Sequence, residues 1–465
     1  MKMKVYWGAF LLFGSVLFSA CQSDETPVVK FSVNEFLAGD SLRMFPGQQL
    51  KLTYSAENMA DLKAVGLPEG WKADIDLPTG SILLTAPVEK AENKTYDFML
   101  QATGSGDATA TVAFQVRLNT YDDPEGVFIL NEGNMTTENG SLTYIAPDGS
   151  QIADAYKTAN GTELGNVCQD MFIVDGRAYI ISQNGDMAPT GTQFENDGML
   201  VVADARTMQK KNSFTRTELA QLEWPTNIAV LDSTHIYIRD KKGIWRLDAS
   251  TRQLSFVKDS DGAPQAPFVV SDGKVYTFSA TSYIGYIWEI APEQDAISKI
   301  LLPMVSEYSI NNVLGLRSAG SGQFWVLAHG FGNYSIGKYN VASNEIVQKK
   351  IEEEPNSGAS GYTFTVHGDH VYYAAGTSVY QVSFTDDSEE QYLLDVSTFG
   401  SNARMLYNGI AVHPVSGHLY VNTIKEFQNY TANNIWEIDP VRQDTVAHYD
   451  NLTRFPAGFY FPEVK

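Results

Sequence analysis

The chain has 465 residues, 43% hydrophobic and 12% aromatic, a composition that excludes a disordered polypeptide and, at this length, makes two domains the expectation. A formal charge of -22 argues against nucleic acid or an anionic membrane surface as partner, because too little basic surface is present to displace phosphate counterions. The 24 Tyr, 24 Phe and 37 Gly favour strands and turns over helices, and no stretch sustains a 3.6-residue period.

Residues 1–20 carry two lysines, an apolar stretch and small Ser19-Ala20, which reads as a secretory signal too short to span a membrane. With Cys21 the ending resembles a bacterial lipobox, although Phe18 stands where Leu is commonest. That resemblance implies a diacylated Cys21 as mature N-terminus. Gln22-Ser23-Asp24-Glu25 is similar to the acidic tag that sends lipoproteins of some Gram-negative gut bacteria to the outer surface. The expected location is therefore the extracellular face of the outer membrane, lipid-anchored. Cys168 is the other cysteine, so the mature chain has no intramolecular disulfide, and a buried inert thiol is the expectation.

Residues 21–120 form a tether and a first folded unit. Alternating apolar runs at Val29–Val33, Leu50–Tyr54, Ile82–Thr85, Tyr96–Ala102 and Thr109–Leu118 are punctuated by Pro-Gly turns. This spacing predicts an immunoglobulin-like β-sandwich. Its GLPEGWKADID segment resembles bacterial stalk modules, and no constellation in it could do chemistry. Tyr121 to Glu125 reads as a short linker.

From Gly126 the chain repeats itself. GVFILNEGNMTTENGSLTYIA gives two strands around a polar loop, and Gln151 to Tyr156 reads as a third. Six four-strand units of propeller-blade length follow, such as QDMFIVDGRAYIIS with GMLVVADARTMQKKNSF. The C-terminal PAGFYF aligns with the entry strands NIAVLD and NGIAVH, which makes it the missing inner strand of the first unit. The expected fold is all-β: an N-terminal sandwich, then a seven-bladed β-propeller over residues 126–465, closed by the C-terminal strand because open edges would otherwise remain.

No catalytic constellation emerges, since nucleophile elbow, phosphate loop and metal-ligand spacing are all missing. His367, His370, His413 and His418 flank outer turns, where solvated side chains are the expectation. No catalytic residue, metal or cofactor is therefore expected. The signal lies instead in long loops on one face, against tight Asp-Gly and His-Gly turns on the other. The repeat alignment puts Asp170, Asn227, Tyr362 and Asn408 at equivalent inner-strand entrances, converging on the central funnel. Around them the loops carry Trp224, Tyr286, Phe331, Tyr334 and Tyr430 with Asn134, Asn184 and Asn312, while Arg404 and Arg454 could meet a phosphate.

Asn131-Glu132-Gly133-Asn134, then Gly140-Ser141-Leu142, together with the lipobox and degenerate blades, resembles the BtuG-type and YncE-like surface lipoproteins of gut bacteria. The resemblance covers Gly126 to the C-terminus. It implies capture of a corrinoid such as cobalamin on the loop face and hand-over to a TonB-dependent outer-membrane transporter. A glycan-binding or adhesion lipoprotein stays open beside it, and an enzyme ranks last.

Overall fold

The computed structural model describes residues 28–35, 42–105, 108–191, 195–279, 284–303, 310, 312–358 and 361–464. The signal segment and Cys21 lie outside the described residues. The structure is nearly all β. Among the described residues the one α-helix is Ala155–Asn160, and no helix is long and apolar enough to cross a membrane.

The first region pairs its strands into two four-stranded sheets. One orders Lys30–Val33, Gln49–Glu57, Ser81–Thr85 and Lys72–Asp76; the other orders Leu42–Met44, Thr109–Leu118, Lys94–Thr103 and Asp61–Val65. Trp71 packs between them, edge-on to Tyr96 and Phe98. Tyr121, the first residue of the expected short linker, is fully buried and donates its N–H to Arg206 O at 2.9 Å. Phe45 stacks on it at 5.7 Å, and Arg43 reaches Asp148 at 2.8 Å. The two regions are thereby docked on each other.

From Val127 on, seven four-stranded antiparallel sheets follow one another among the described residues, six of them meanders of consecutive strands. The inner strands of successive sheets adjoin one another, that of the fifth reaching the sixth through Gly361–Tyr362, so these strands surround a common axis. In the first sheet that place is taken by Pro456–Tyr460, which pairs with Val127–Asn131. The arrangement is that of a β-propeller. Inner strands are near-continuous apolar runs because neighbouring sheets cover both faces; Asn227–Asp232 is buried over its first four residues. Outer strands are largely exposed, as in Asp444–Asp450.

Two local expectations fail. The run Gln151 to Tyr156 pairs only through Gln151–Ile152, since Asp154 caps Lys157 N–H and starts the helix, which Gly161 ends at φ 74°. Phe331 and Tyr334, expected on a long loop, instead belong to a hairpin whose turn is two residues long. Phe331 and Gly332 both hold positive φ, and pairing continues to Gly330 and Asn333.

Candidate functional site

The meander sends second-to-third strand connections and sheet-to-sheet connections to one end of the ring, here called the loop face. At that end four inner strands lose regular pairing: between Asn166 and Asp170, Val313 and Gly315, Leu406 and Ile410, and Pro456 and Gly458. Such bulges re-aim side chains that a regular strand would direct into its neighbours. The seventh sheet shows it best: Asn408 sits at φ 47° and Gly409 at φ 120°.

Along the axis lies a cavity of about 270 Å³. Asp170, Asn227, Tyr362 and Asn408 line it together, joined by Gln169, Arg317, Thr365 and Tyr460. Asp170 is buried, and its oxygens accept from Met171 N–H at 2.9 Å, Ile228 N–H at 3.0 Å and Tyr460 O–H at 2.8 Å. Burial pushes its pKa up to about 6 despite those donors. Arg317 stacks 4.4 Å over the Phe364 ring, and burial lowers its pKa to about 10.

A second cluster lies on the loop face where the first and seventh sheets meet. Tyr430 stacks on Phe455 at 4.0 Å, Tyr407 lies 5.3 Å from Phe455, and Phe427 adds a 54% exposed ring. Below it the Glu132 carboxylate accepts from Asn408 Nδ2 at 2.8 Å and Tyr407 O–H at 3.3 Å. Burial raises that carboxyl to about 7. Tyr430 O–H donates to Glu138 at 2.6 Å, and Arg454 Nε lies 3.9 Å from the same residue. Asn134 belongs to this loop and closes an Asx turn on Thr136.

The remaining predicted positions are spread out. Trp224, 57% exposed, and Phe331, 80% exposed, stand on separate loops, both at positive φ. Tyr286 and Asn312 open strands, and the Asn312 Oδ1 is buried with no partner among the described residues. Asn184 donates to Asn166 Oδ1 at 2.8 Å, Tyr334 packs 4.6 Å from His329, and exposed Arg404 donates to Ser401 O at 3.1 Å. Among the described residues no group of three His, Cys, Asp or Glu is placed to hold a metal ion. His413, expected in solvent, is buried: its Nδ1 accepts from Val415 and Ser416 N–H, both at 3.2 Å, and burial lowers its pKa.

Glu132, Arg317, Phe427 and Tyr460 were not singled out by sequence reasoning. Glu132 lies inside a motif read for resemblance alone. Arg317 sits in a run, LGLRSAGSG, that looks like an ordinary strand end.

Residues 125–464 match the family model described as "Domain of unknown function (DUF5074)". None of the curated proteins matches the chain. Among solved structures, the extracellular domain of the BT4673 hybrid two-component system from Bacteroides thetaiotaomicron aligns at 14% identity and a TM-score of 0.41. That alignment covers 66% of this chain and 38% of that one, so this chain spans well under two thirds of its length. A protein of unknown function from Bacteroides thetaiotaomicron aligns at 12% identity and TM-score 0.37, over 91% and 87% of the two chains. The Dos1 propeller aligns at 10% identity and TM-score 0.39, over 72% and 86%. The fold rests on the strand pairing above and takes nothing from these likenesses.

Proposed function

The chain belongs to the DUF5074 family, whose description names no activity, and we propose that it is a cell-surface lipoprotein that binds a bulky nutrient ligand on the loop face. In this reading the seven sheets are the blades of a seven-bladed propeller, residues 126–465. Residues 21–120 are an immunoglobulin-like spacer behind a lipid on Cys21. The observation that carries the reading is the axial cavity, whose polar lining is supplied by inner strands with broken pairing. On separate connections of the loop face, three bulky residues hold positive φ: Trp224, Phe331 and Phe455. Such conformations are strained for large side chains and concentrate where a ligand is held.

In this reading the position of the ligand follows from size. A cavity of about 270 Å³ is below the range that encloses a drug-sized molecule. A corrin ring therefore lies across the loop face, and only a substituent enters the channel. A corrinoid is a flat, largely apolar ring fringed with amides. The Tyr407, Phe427, Tyr430 and Phe455 cluster offers rings, while Asn134 and Asn408 offer amides. We assign binding and no catalysis, with transfer to a TonB-dependent transporter as the next step. A glycan-binding or adhesion role is the second reading, favoured by the exposure of Trp224 and Phe331, since glycans stack on a few open rings.

Titration calorimetry of the chain beginning after Cys21, with cyanocobalamin and with a glycan panel, separates them. Heat and co-eluting corrinoid absorbance are expected, and Phe427→Ala should weaken binding about tenfold or more, as loss of an anchoring ring of about 2 kcal/mol implies. Silence toward cyanocobalamin at micromolar protein ends the corrinoid reading. The anchor is checked separately: Cys21→Ala should abolish lipid labelling and surface exposure.

A further inference from the structure

Arg317 is the penultimate residue of the inner strand Asn312–Ser318 and lines the central channel. A guanidinium carries five N–H donors, and among the described residues only Leu316 O accepts from this one, at 2.8 Å. Its flat face rests on Phe364, which fixes the plane of the fork without using its donors. Asp170, the carboxylate that acts on it electrostatically, makes no salt bridge with it among the described residues and accepts instead from Met171, Ile228 and Tyr460. On the neighbouring inner strand, beside Phe364, Thr365 Oγ1 also lines the channel, accepts from Val412 N–H at 3.1 Å and keeps its own O–H to donate.

Arg317 is half-buried, and a ligand that pairs with its remaining donors inside the channel gains more than it would in open water. The planar fork suits two oxygens of one carboxylate or phosphate. At about 270 Å³ the cavity admits one such group with a few waters. We propose that the central channel is an anion-binding subsite in which Arg317, seconded by Thr365, takes a single carboxylate or phosphate group. The inference rests on the channel being part of the ligand site, and it does not depend on which ligand covers the loop face. It also moves phosphate recognition away from Arg404 and Arg454, whose donors are turned to loop carbonyls.

The test uses the chain beginning after Cys21 and needs no corrinoid. Inorganic phosphate and acetate, each at 50 mM and matched with chloride for ionic strength, should raise the melting temperature by about 2 °C, the size expected for millimolar binding. Arg317→Gln should abolish the gain. Should that variant fail to fold, Arg317→Lys carries the test, since a point charge in place of a fork should cut the anion affinity at least about threefold. Equal gains in wild type and variant, or no gain in wild type, overturn the subsite. The source of the anion is read from a second arm, cyanocobalamin against cobinamide, which lacks the phosphate-bearing tail. A preference for cyanocobalamin that Arg317→Gln removes places the tail in the channel. Equal binding of the two, with the phosphate gain intact, assigns the subsite to a free anion. A protein that ignores corrinoids but keeps the Arg317-dependent phosphate gain loses the corrinoid reading and retains this one.

Discussion

The two flanks of the first sheet are held in different ways. Toward the second sheet, Phe128, Leu130, Leu142 and Tyr144 pack with Tyr156, Met171, Ile180 and Val201, and Phe45 and Tyr121 extend that core into the first region. Toward the seventh sheet the buried apolar set is small: Val127, Ile129, Ile145, Tyr420 and Ile435. There the loop-face end is fastened by polar and backbone bonds. Glu132 N–H donates to Phe455 O at 2.7 Å, Gly133 N–H to Arg454 O at 3.0 Å, and Arg454 N–H to Asn131 Oδ1 at 2.9 Å. One flank is a non-directional core that tolerates small shifts; the other depends on a few oriented bonds. The seam is therefore where the ring opens first, and it carries the aromatic cluster assigned to ligand binding.

The largest effect comes from removing the closing strand. Deleting Phe455–Lys465 strips the inner strand from the first sheet and bares the edge of Val127–Asn131 beside the channel. The ring should lose cooperative melting and aggregate, while the Trp71-centred sheets keep a transition of their own. Calorimetry reads both, and a truncated chain that melts like the full one refutes a seam held by that strand. Next in size is Phe45→Ala on the opposite flank. A fully enclosed ring replaced by a methyl should cost about 3–5 kcal/mol in urea unfolding. A cost under about 1 kcal/mol would show that the docking of the first region adds nothing to this core.

How much of this was legible follows from the range of each interaction. The all-β character and four-strand rhythm are written locally, because every unit repeats an apolar run, a tight turn such as Asp175-Gly176 and an aromatic strand. The helix after Ile152 was legible in principle from Asp154 as a cap, but Gln151 to Tyr156 alternates well enough to pass for a strand. The Glu132 clamp joins residues more than two hundred positions apart, and Arg317 meets Phe364 across two neighbouring sheets. No periodicity records such pairs. Nor does any turn rule reveal that His413 is folded inward against Phe461 at 4.8 Å.

A pH experiment sharpens the contrast between the flanks. Burial lifts the Glu132 carboxyl from 4.5 to about 7. Between those values the native state holds a proton that the unfolded chain has released, so stability falls as pH rises through that window. The contribution is fully present below about 4.5 and amounts to about 3 kcal/mol at most. Asp154 and Asp170, both raised to about 6, titrate in the same window, so the wild-type slope is shared. Glu132→Gln keeps an acceptor for Asn408 and Tyr407 and removes the proton. Its urea midpoint should change less between pH 5 and 7 than that of wild type. Protection of the Ala457–Tyr460 amides, corrected for the intrinsic pH dependence of exchange, should vary less with pH in the variant than in wild type, and protection slopes that coincide would show that the clamp is not coupled to the seam.

The smallest effect tests strain at the same place. Phe455 holds φ 53°, a region that costs a large L-residue about 1–3 kcal/mol, yet its ring stacks on Tyr430 at 4.0 Å. Stacking of that kind returns about 0.5–1.5 kcal/mol beyond burial. Phe455→Ala loses the ring and keeps most of the strain, whereas Phe455→Gly loses the ring and the strain together. Glycine should therefore be the better tolerated replacement by about 1 kcal/mol, the reverse of the usual order next to a strand. Both variants should bind ligand more weakly if the aromatic cluster carries recognition, and urea unfolding beside calorimetry separates that loss from the strain. Alanine equal to or better than glycine would mean that the backbone at 455 relaxes without cost. The seam would then be held by its hydrogen bonds alone, with no strain stored against the ring that closes it.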